Sequence, residues 1–534
     1  MRQRQGRTKK LPLLPEKRPA HGAAPELVAA IDLGASAVRM MLAQVHPDGN
    51  WTALENLTQS VNLGREVFQH GYISQETTEE IVGIFRQFRR RLSEYRLDDP
   101  ACMRAVATSA VREAENREAF LDRIFIATGI QVEVASAADI NRMTFMALTR
   151  VLETENRLRR GALLITEVGG GVTEFLGLEK GRVKFSRTSK LGLLRLRDQI
   201  AEHRIAPDRL KPFLNGQIDS SLGSLRKTAG FGSPPALLLM GGEARFAAAT
   251  ICPEHDEGKL CRLPTRKVAK LADELLALPA EEVAARYGLS HTMSETVGPA
   301  LLCHVRLAAL FGAEALLVTN ACLRDGIIAE MVGGAAWNRE LRRQVLASAD
   351  EIGGRYQCDR THAKAVARHA RQLFSVLQTE HALPAHSRLI LEVAALLHDA
   401  GMLVSPRSHH KHSMYLIQNS ELFGLGEQHR TIAALTARYH RKSPPRPAHE
   451  EFVRLDRKNR VVVMKLAAIL RIADALDCSH SRRNRPLTFE LEDDRLVIRA
   501  TGPAAAWAQE EVAVQAKGDM LRDVFGIKPA MRFG

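Results

Sequence analysis

Long apolar runs, paired cysteines and aromatic side chains are all scarce in this sequence. No stretch approaches the roughly 18–20 apolar residues needed to cross a bilayer, and the first residues lack the apolar segment of a secretory signal, so the expected setting is cytoplasmic, without a membrane. The seven cysteines are odd in number and none stands in a Cys-x-x-Cys pair, a pattern of reduced thiols rather than a disulfide framework. Cys252, His255 and Cys261 lie close together, but with no fourth ligand in view they read as a loop with incidental thiols. Aromatic residues make up 5% of the chain and are sparse around its basic clusters, which disfavours nucleic acid, since single strands need stacking platforms.

Acidic residues are outnumbered. Sixty-one Asp and Glu against 75 Lys and Arg leave a net charge of +14, which favours a polyanionic partner. The basic residues gather in the first 19 positions, at Arg86, Arg89, Arg90 and Arg91, and at Arg157, Arg159 and Arg160, either as solvated faces or as guides for a polyanion. At 534 residues the chain is too long for one hydrophobic core. Residues 1–24 carry Pro, Lys and Arg without periodicity and are expected as a disordered basic arm. Residues 25–148 and 149–335 each open with strand, glycine turn and strand before alternating β and α elements, as two related α/β halves facing across a cleft. Residues 336–484 read as helical throughout. Residues 485–534 alternate like two strands around Asp493 and Asp494, then give a short helix near 516–524, a small α+β appendage.

Within the second half, "LLITEVGGGVTEF" (163–175) breaks an apolar strand with an acid and three glycines. Consecutive glycines are costly in a strand, so the turn is expected to receive something bulky, with phosphate the leading candidate. The first half repeats the plan, with Asp32 ending its strand just before Gly34. A carboxylate followed by a glycine turn offers both an anchor for a hydrated metal ion and a phosphate cradle.

These stretches resemble the Ppx/GppA phosphatases, exopolyphosphatases and guanosine pentaphosphate phosphatases with the actin-like (RNase H-like) ATPase fold. "AAIDLGASAVRMML" (29–42) is similar to that family's first hairpin, "AVATSAVREAEN" (105–116) to its Ala-Thr-Ser-Ala-x-Arg-x-Ala-x-Asn segment, "EVGGGVTE" (167–174) to its second hairpin, "LLMGGEAR" (238–245) to a later Gly-Gly turn and "ACLRDG" (321–326) to its closing Leu-Arg-x-Gly. The resemblance implies attack of water on a terminal phosphoryl group with Mg2+ in the cleft, the substrate being inorganic polyphosphate or guanosine phosphates. Asp32 and Glu167 would then hold the metal or its waters. Gly34, Gly169, Gly170 and Gly171 would present amides, Thr173 a hydroxyl and Arg112 a charge, with Ser36, Arg39, Glu174, Gly241 and Gly242 completing the substrate site. The family's base is a Glu in Ser-Gly-x-Glu-Glu-Ala-Arg; here "SAADINR" (136–142) puts Asp139 and Ile140 at the two glutamates, and Asp139 is the expected base with a reach roughly 1.5 Å shorter. Ala35, Ala37 and Val172 stand where the family has Ser, and Glu167 where it has Asp.

A second candidate site lies in the helical region. His362, the His398–Asp399 pair, "SHHKHSMYLI" (408–417) offering His409, His410 and His412 with His410 the expected ligand, His440 and Asp474 form an ordered set that looks like an HD domain of the metal phosphohydrolase type, which longer members of the same family carry here. Imidazole and carboxylate donors suit Mn2+, Fe2+ or Zn2+. Three readings follow: hydrolysis in the actin-like cleft, the expected one; an HD-type metal phosphohydrolase whose cleft only binds; or a sensor in which neither site turns over. Oligomeric state is left open, a homodimer included.

Overall fold

The apolar run "ELVAAIDL" forms β1 (Glu26–Leu33), a central strand buried on both faces. Its hairpin partner β2 (Ala37–Val45) and edge strand β3 (Trp51–Ser60) follow antiparallel, while β4 (Met103–Ala107) and β5 (Val132–Val134) add parallel on the other side, giving the order β3-β2-β1-β4-β5. The computed structural model describes residues 26–223, 225–256, 258–333, 339–480 and 486–534; the basic arm expected over 1–24 lies outside them.

The second sheet repeats this order. β6 (Ala162–Val168), β7 (Thr173–Glu179) and β8 (Arg182–Ser189) run antiparallel in sequence, β9 (Ala236–Met240) and β11 (Ala315–Val318) add parallel to β6, and β10 (Cys261–Pro264) extends the far edge. Strand for strand, β8-β7-β6-β9-β11 reproduces β3-β2-β1-β4-β5, so both glycine hairpins stand at equivalent ends of their central strands.

The helical region begins with Arg339–Arg355 and contributes the helices Arg360–Val376, His386–Leu397, His409–Gln418, Glu427–Arg438 and Arg457–Ala475. The apolar core does not stop at residue 336. One cluster runs from Leu148, Leu163 and Val183 of the second half through Val345, Leu397 and Ile469 to Leu521. Gln344, fully buried, stitches the junction: its Oε1 accepts from the Val183 amide at 2.8 Å and its Nε2 donates to the Gly181 carbonyl at 2.8 Å.

At the end of the chain β12 (Leu487–Glu492) and β13 (Arg495–Ala500) form the expected hairpin, with Asp493 at φ +50° in its turn. A third strand, β14 (Lys528–Phe533), joins parallel to β13. The short helix expected near 516–524 is two, Ala508–Lys517 and Asp519–Phe525, separated at Gly518, where a Cβ would lie 2.6 Å from Pro529. No helix among the described residues is long and apolar enough to cross a membrane.

Candidate functional site

Asp32 sits at the end of β1, 7% exposed, opposite Arg39 in the hairpin register. Its carboxylate is 3.6 Å from the Arg39 guanidinium and 4.0 Å from that of Arg324, from the "ACLRDG" segment. Gly34 closes the turn by donating to the Ala37 carbonyl at 3.0 Å; a Cβ there would crowd that oxygen at 3.2 Å. Across the cleft, Glu167 occupies the matching place near the end of β6. Burial raises its carboxyl above the usual carboxylate range, the charge of Asp32 raises it further, and Arg245 and Arg39 oppose both. Glu243, in the first turn of the helix Gly242–Ile251, is likewise raised by burial. Gly241 turns at φ +104°, a conformation open to glycine, and its missing side chain leaves room against Glu167.

The glycine triplet also has a packing reason. None of the three has a positive φ. A Cβ on Gly170 would meet Leu194 and Ala35 at 3.1 and 3.3 Å, and one on Gly171 would lie 2.3 Å from Phe68 and 2.8 Å from the Ser109 hydroxyl. Ala35, Phe68 and Ser109 belong to the first half, so the glycines let the two halves close on each other. Their carbonyls accept from Leu193, Leu194 and Arg195 of the helix Leu193–Glu202. The Gly169 amide is used by the Val172 carbonyl, whereas those of Gly170 and Gly171 have no acceptor among the described residues and remain available to an anion.

Three expected residues do other work. Thr173 is 1% exposed and donates its hydroxyl to the Leu191 carbonyl at 2.6 Å, so it presents nothing to a substrate. Arg112 donates to the Ala135 carbonyl at 2.7 Å while holding its charge near Glu174. Asp139 is the N3 residue of a capping box: one carboxylate oxygen accepts from the Ser136 amide and hydroxyl, the other from Arg142 at 2.8 Å, and the group lies against Gly426 of the helical region. Both lone-pair sets of the expected base are spent on structure. Ile140, the second glutamate position, is buried among Leu323 and Ile327. Burial pushes Glu174 up to about 7, against hydrogen bonds from Thr188 and Asn141 and the charge of Arg112. Ser36 is half-buried in the β1–β2 turn, its carbonyl accepting from Val61.

The helical cluster is tighter. His362 opens Arg360–Val376, His398 and Asp399 follow His386–Leu397, His409 opens its own helix, His440 follows Glu427–Arg438, and Asp474 lies near the end of Arg457–Ala475. Asp399 divides its two oxygens. Oδ2 is 3.5 Å from His398 Nε2 and 3.9 Å from His362 Nε2; Oδ1 is 3.1 Å from His409 Nε2 and 3.9 Å from His440 Nε2. Asp474 Oδ1 stands 3.5 and 3.6 Å from His362 and His398. Ligands about 2.1 Å from a common ion stand roughly 3.0–3.4 Å apart, so these spacings fit divalent ions with little movement.

Each ring is oriented from behind. The Nδ1 atoms of His398, His409 and His440 bond the carbonyls of Ala395, Pro406 and Ala437, and that of His362 bonds Asp477 at 2.8 Å, leaving all four Nε2 atoms inward. Two pairs of Nε2 atoms then face each other at 3.3 Å, His362 with His398 and His409 with His440. Facing lone pairs repel unless positive charge lies between them, a charge that a divalent ion or a proton would supply. The field agrees: burial opposes a charge on His362, yet its bonds to Asp474 and Asp477 carry it up to about 9. Burial, with the charge of His398, takes His440 the other way, to about 3, against the pull of Asp474 and Asp399. Lys517, from the C-terminal appendage, holds the outer oxygen of Asp474. His410, the ligand expected from the sequence, is not in the cluster; His409 is. Among the described residues such groups occur only here, neither in the cleft nor around Cys252, His255 and Cys261.

A family model described as Ppx/GppA phosphatase family matches residues 43–334, and one described as Ppx/GppA phosphatase, domain III, matches residues 345–512. The chain is 23% identical over 482 residues to a guanosine-5'-triphosphate,3'-diphosphate pyrophosphatase of Vibrio vulnificus, covering 88% of this chain and 91% of that one. It is 23% identical over 487 residues to the protein so named in Aeromonas hydrophila subsp. hydrophila, covering 91% and 94%. A solved exopolyphosphatase from Cytophaga hutchinsonii matches with a TM-score of 0.53 at 22% identity, covering 58% of this chain and 99% of that one. The two-sheet part of the molecule shares that fold, the actin-like α/β arrangement.

Proposed function

The chain belongs to the Ppx/GppA phosphatase family, and from that premise we propose that it hydrolyses the terminal phosphoryl group of inorganic polyphosphate or guanosine pentaphosphate at the helical cluster, with the actin-like cleft gripping the phosphate chain. The observation that carries this is the four imidazoles held with Nε2 inward around a carboxylate that spans both groups, which supports an HD-type reading. His362, His398, Asp399 and Asp474 would hold one ion, and Asp399, His409 and His440 a second, with Mn2+, Fe2+ or Zn2+ favoured by the donors. A bound pair supplies Lewis-acid charge to a phosphoryl oxygen and acidifies water. The chain's own residues do the positioning. Asp477 and the Ala395 and Ala437 carbonyls fix the tautomers of His362, His398 and His440, Lys517 restricts Asp474 to one inward oxygen, and Arg441, 3.2 Å from His409 Nδ1, brings a guanidinium to the edge of the site.

In the cleft, Arg39, Arg245 and Arg324 surround three acids that a hydrated Mg2+ would neutralise, and the Gly170 and Gly171 amides would hold phosphate oxygens. A second reading keeps hydrolysis there, favoured by Glu174: a carboxyl with a pKa of about 7 is suited to general-base work at neutral pH. The seven cysteines are all free, in keeping with a reducing, cytoplasmic setting.

Phosphate release from long-chain polyphosphate and from guanosine pentaphosphate separates these readings. After chelation, activity is expected to return with Mn2+ and not with Mg2+ alone. Full recovery with Mg2+ moves the chemistry to the cleft, and binding without release under either ion makes the protein a sensor.

A further inference from the structure

A cavity of about 240 Å3 is lined by the chain neighbours of His409 and His440, and nothing in the chemistry above uses it. Its walls come from the start of His409–Gln418 and the end of Glu427–Arg438, the two elements that carry those ligands, so His410 and Lys411 line it just after one ligand and Tyr439 and Lys442 just around the other. Arg441, between His440 and Lys442, reaches back to the His409 ring, which ties this wall to the cluster.

The lining is cationic. Arg438 is matched by Glu451 at 2.7 Å, but the exposed ammonium groups of Lys411 and Lys442 form no ion pair among the described residues. The first turn of His409–Gln418 adds the positive end of a ten-residue helix. A second, independent observation points to a ligand: His410 is 8% exposed, lines the cavity, and its Nδ1 has no hydrogen-bond partner among the described residues. A buried unsatisfied polar atom costs about 1–3 kcal/mol, which an oxygen-rich ligand would relieve.

We propose that this cavity is an anion subsite that receives the phosphate chain behind the phosphoryl group being hydrolysed, with Lys411 and Lys442 pairing its oxygens and His410 hydrogen-bonding one of them. The assignment rests on the reading that the helical cluster is hydrolytic. It also gives His410 a place: not a metal ligand, but a neighbour of one turned toward the substrate. The chain it takes is either inorganic or the 5' phosphates of a guanosine nucleotide, because the cavity presents phosphate-binding groups to both.

The test uses the full-length, Mn2+-loaded protein and inorganic tripolyphosphate as probe. Acylation of lysines, read by mass spectrometry, is expected to be suppressed at Lys411 and Lys442 when tripolyphosphate is present. The double variant K411A/K442A, two exposed positions without partners, is expected to raise KM roughly tenfold for polyphosphate and for guanosine pentaphosphate, with kcat and metal content unchanged. A rise for only one substrate identifies which chain enters. Active, metal-loaded protein with no protection and an unchanged KM overturns the subsite and leaves the hydrolytic reading standing. Protection in a protein that releases no phosphate does the reverse.

Discussion

The cleft and the helical cluster both gather acids and cations, yet they are built to different tolerances. In the cleft, Asp32, Glu167 and Glu243 feel one another's charge without reaching ligand spacing, and Asp139, the residue expected to do the chemistry, caps its own helix. In the helical region six side chains from five helical segments converge, and each histidine is held from behind by a hydrogen bond. Shared ancestry preserves the shape of a site more readily than its reactive groups. The glycines of the cleft also pack the two halves together, a role that requires no catalysis.

The sharpest break in that comparison is a double change in the cluster. His398→Ala with Asp399→Ala removes ligands from both groups, so elemental analysis should find no bound transition metal, and thermal unfolding should shift down by the lost linkage, about 4 kcal/mol where the ion stands at a thousand times its Kd. A smaller effect is expected one shell out. Asp477→Asn loosens the His362 ring and should weaken metal affinity by about 10–100-fold in a competition titration, with activity recovering at high Mn2+.

On the cleft side the effects are on stability and carry a pH signature. Glu174 holds its proton to about 7 in the folded chain, against 4.5 for an unperturbed glutamate. The folded state therefore binds the proton more tightly, and the wild-type protein loses stability as pH rises from about 4.5 to 7, with the full cost present above. Glu174→Gln should gain stability relative to wild type at pH 8 by on the order of 1–3 kcal/mol, and much less at pH 5, in urea unfolding. If Glu174 is instead the working base, that variant loses hydrolysis. The smallest change is expected from Asp139→Asn: about 1 kcal/mol from a weakened cap, with phosphate release intact.

Much of this was legible in the sequence, for reasons that differ by residue. Asp32 and Glu167 end apolar strands before glycines, and that local pattern placed both hairpins. The ordered His and Asp of the helical region could be collected because each sits in a recognisable helix-end motif. The choice among His409, His410 and His412 is not legible, because adjacent histidines on a helix differ by about 100° in direction and sequence does not give the phase; the helix starts only after Ser408, at φ +62°. Thr173 looked like a substrate hydroxyl because its acceptor, Leu191, lies 18 residues away on another segment. β14 was missed because it pairs parallel with a strand separated from it by two helices. The core's passage across residue 336 was invisible for the same reason: composition changes there while packing does not.

One measurement bears most directly on where the bond is broken: kcat for phosphate release from polyphosphate by Asp399→Asn and by Glu167→Gln, assayed side by side with Mn2+ and Mg2+ both present. Hydrolysis at the helical cluster predicts that Asp399→Asn falls below about one hundredth of wild type, while Glu167→Gln keeps kcat within about threefold and shows its loss in KM. The opposite pattern, with Asp399→Asn near wild type and Glu167→Gln inactive, contradicts it and returns the chemistry to the cleft.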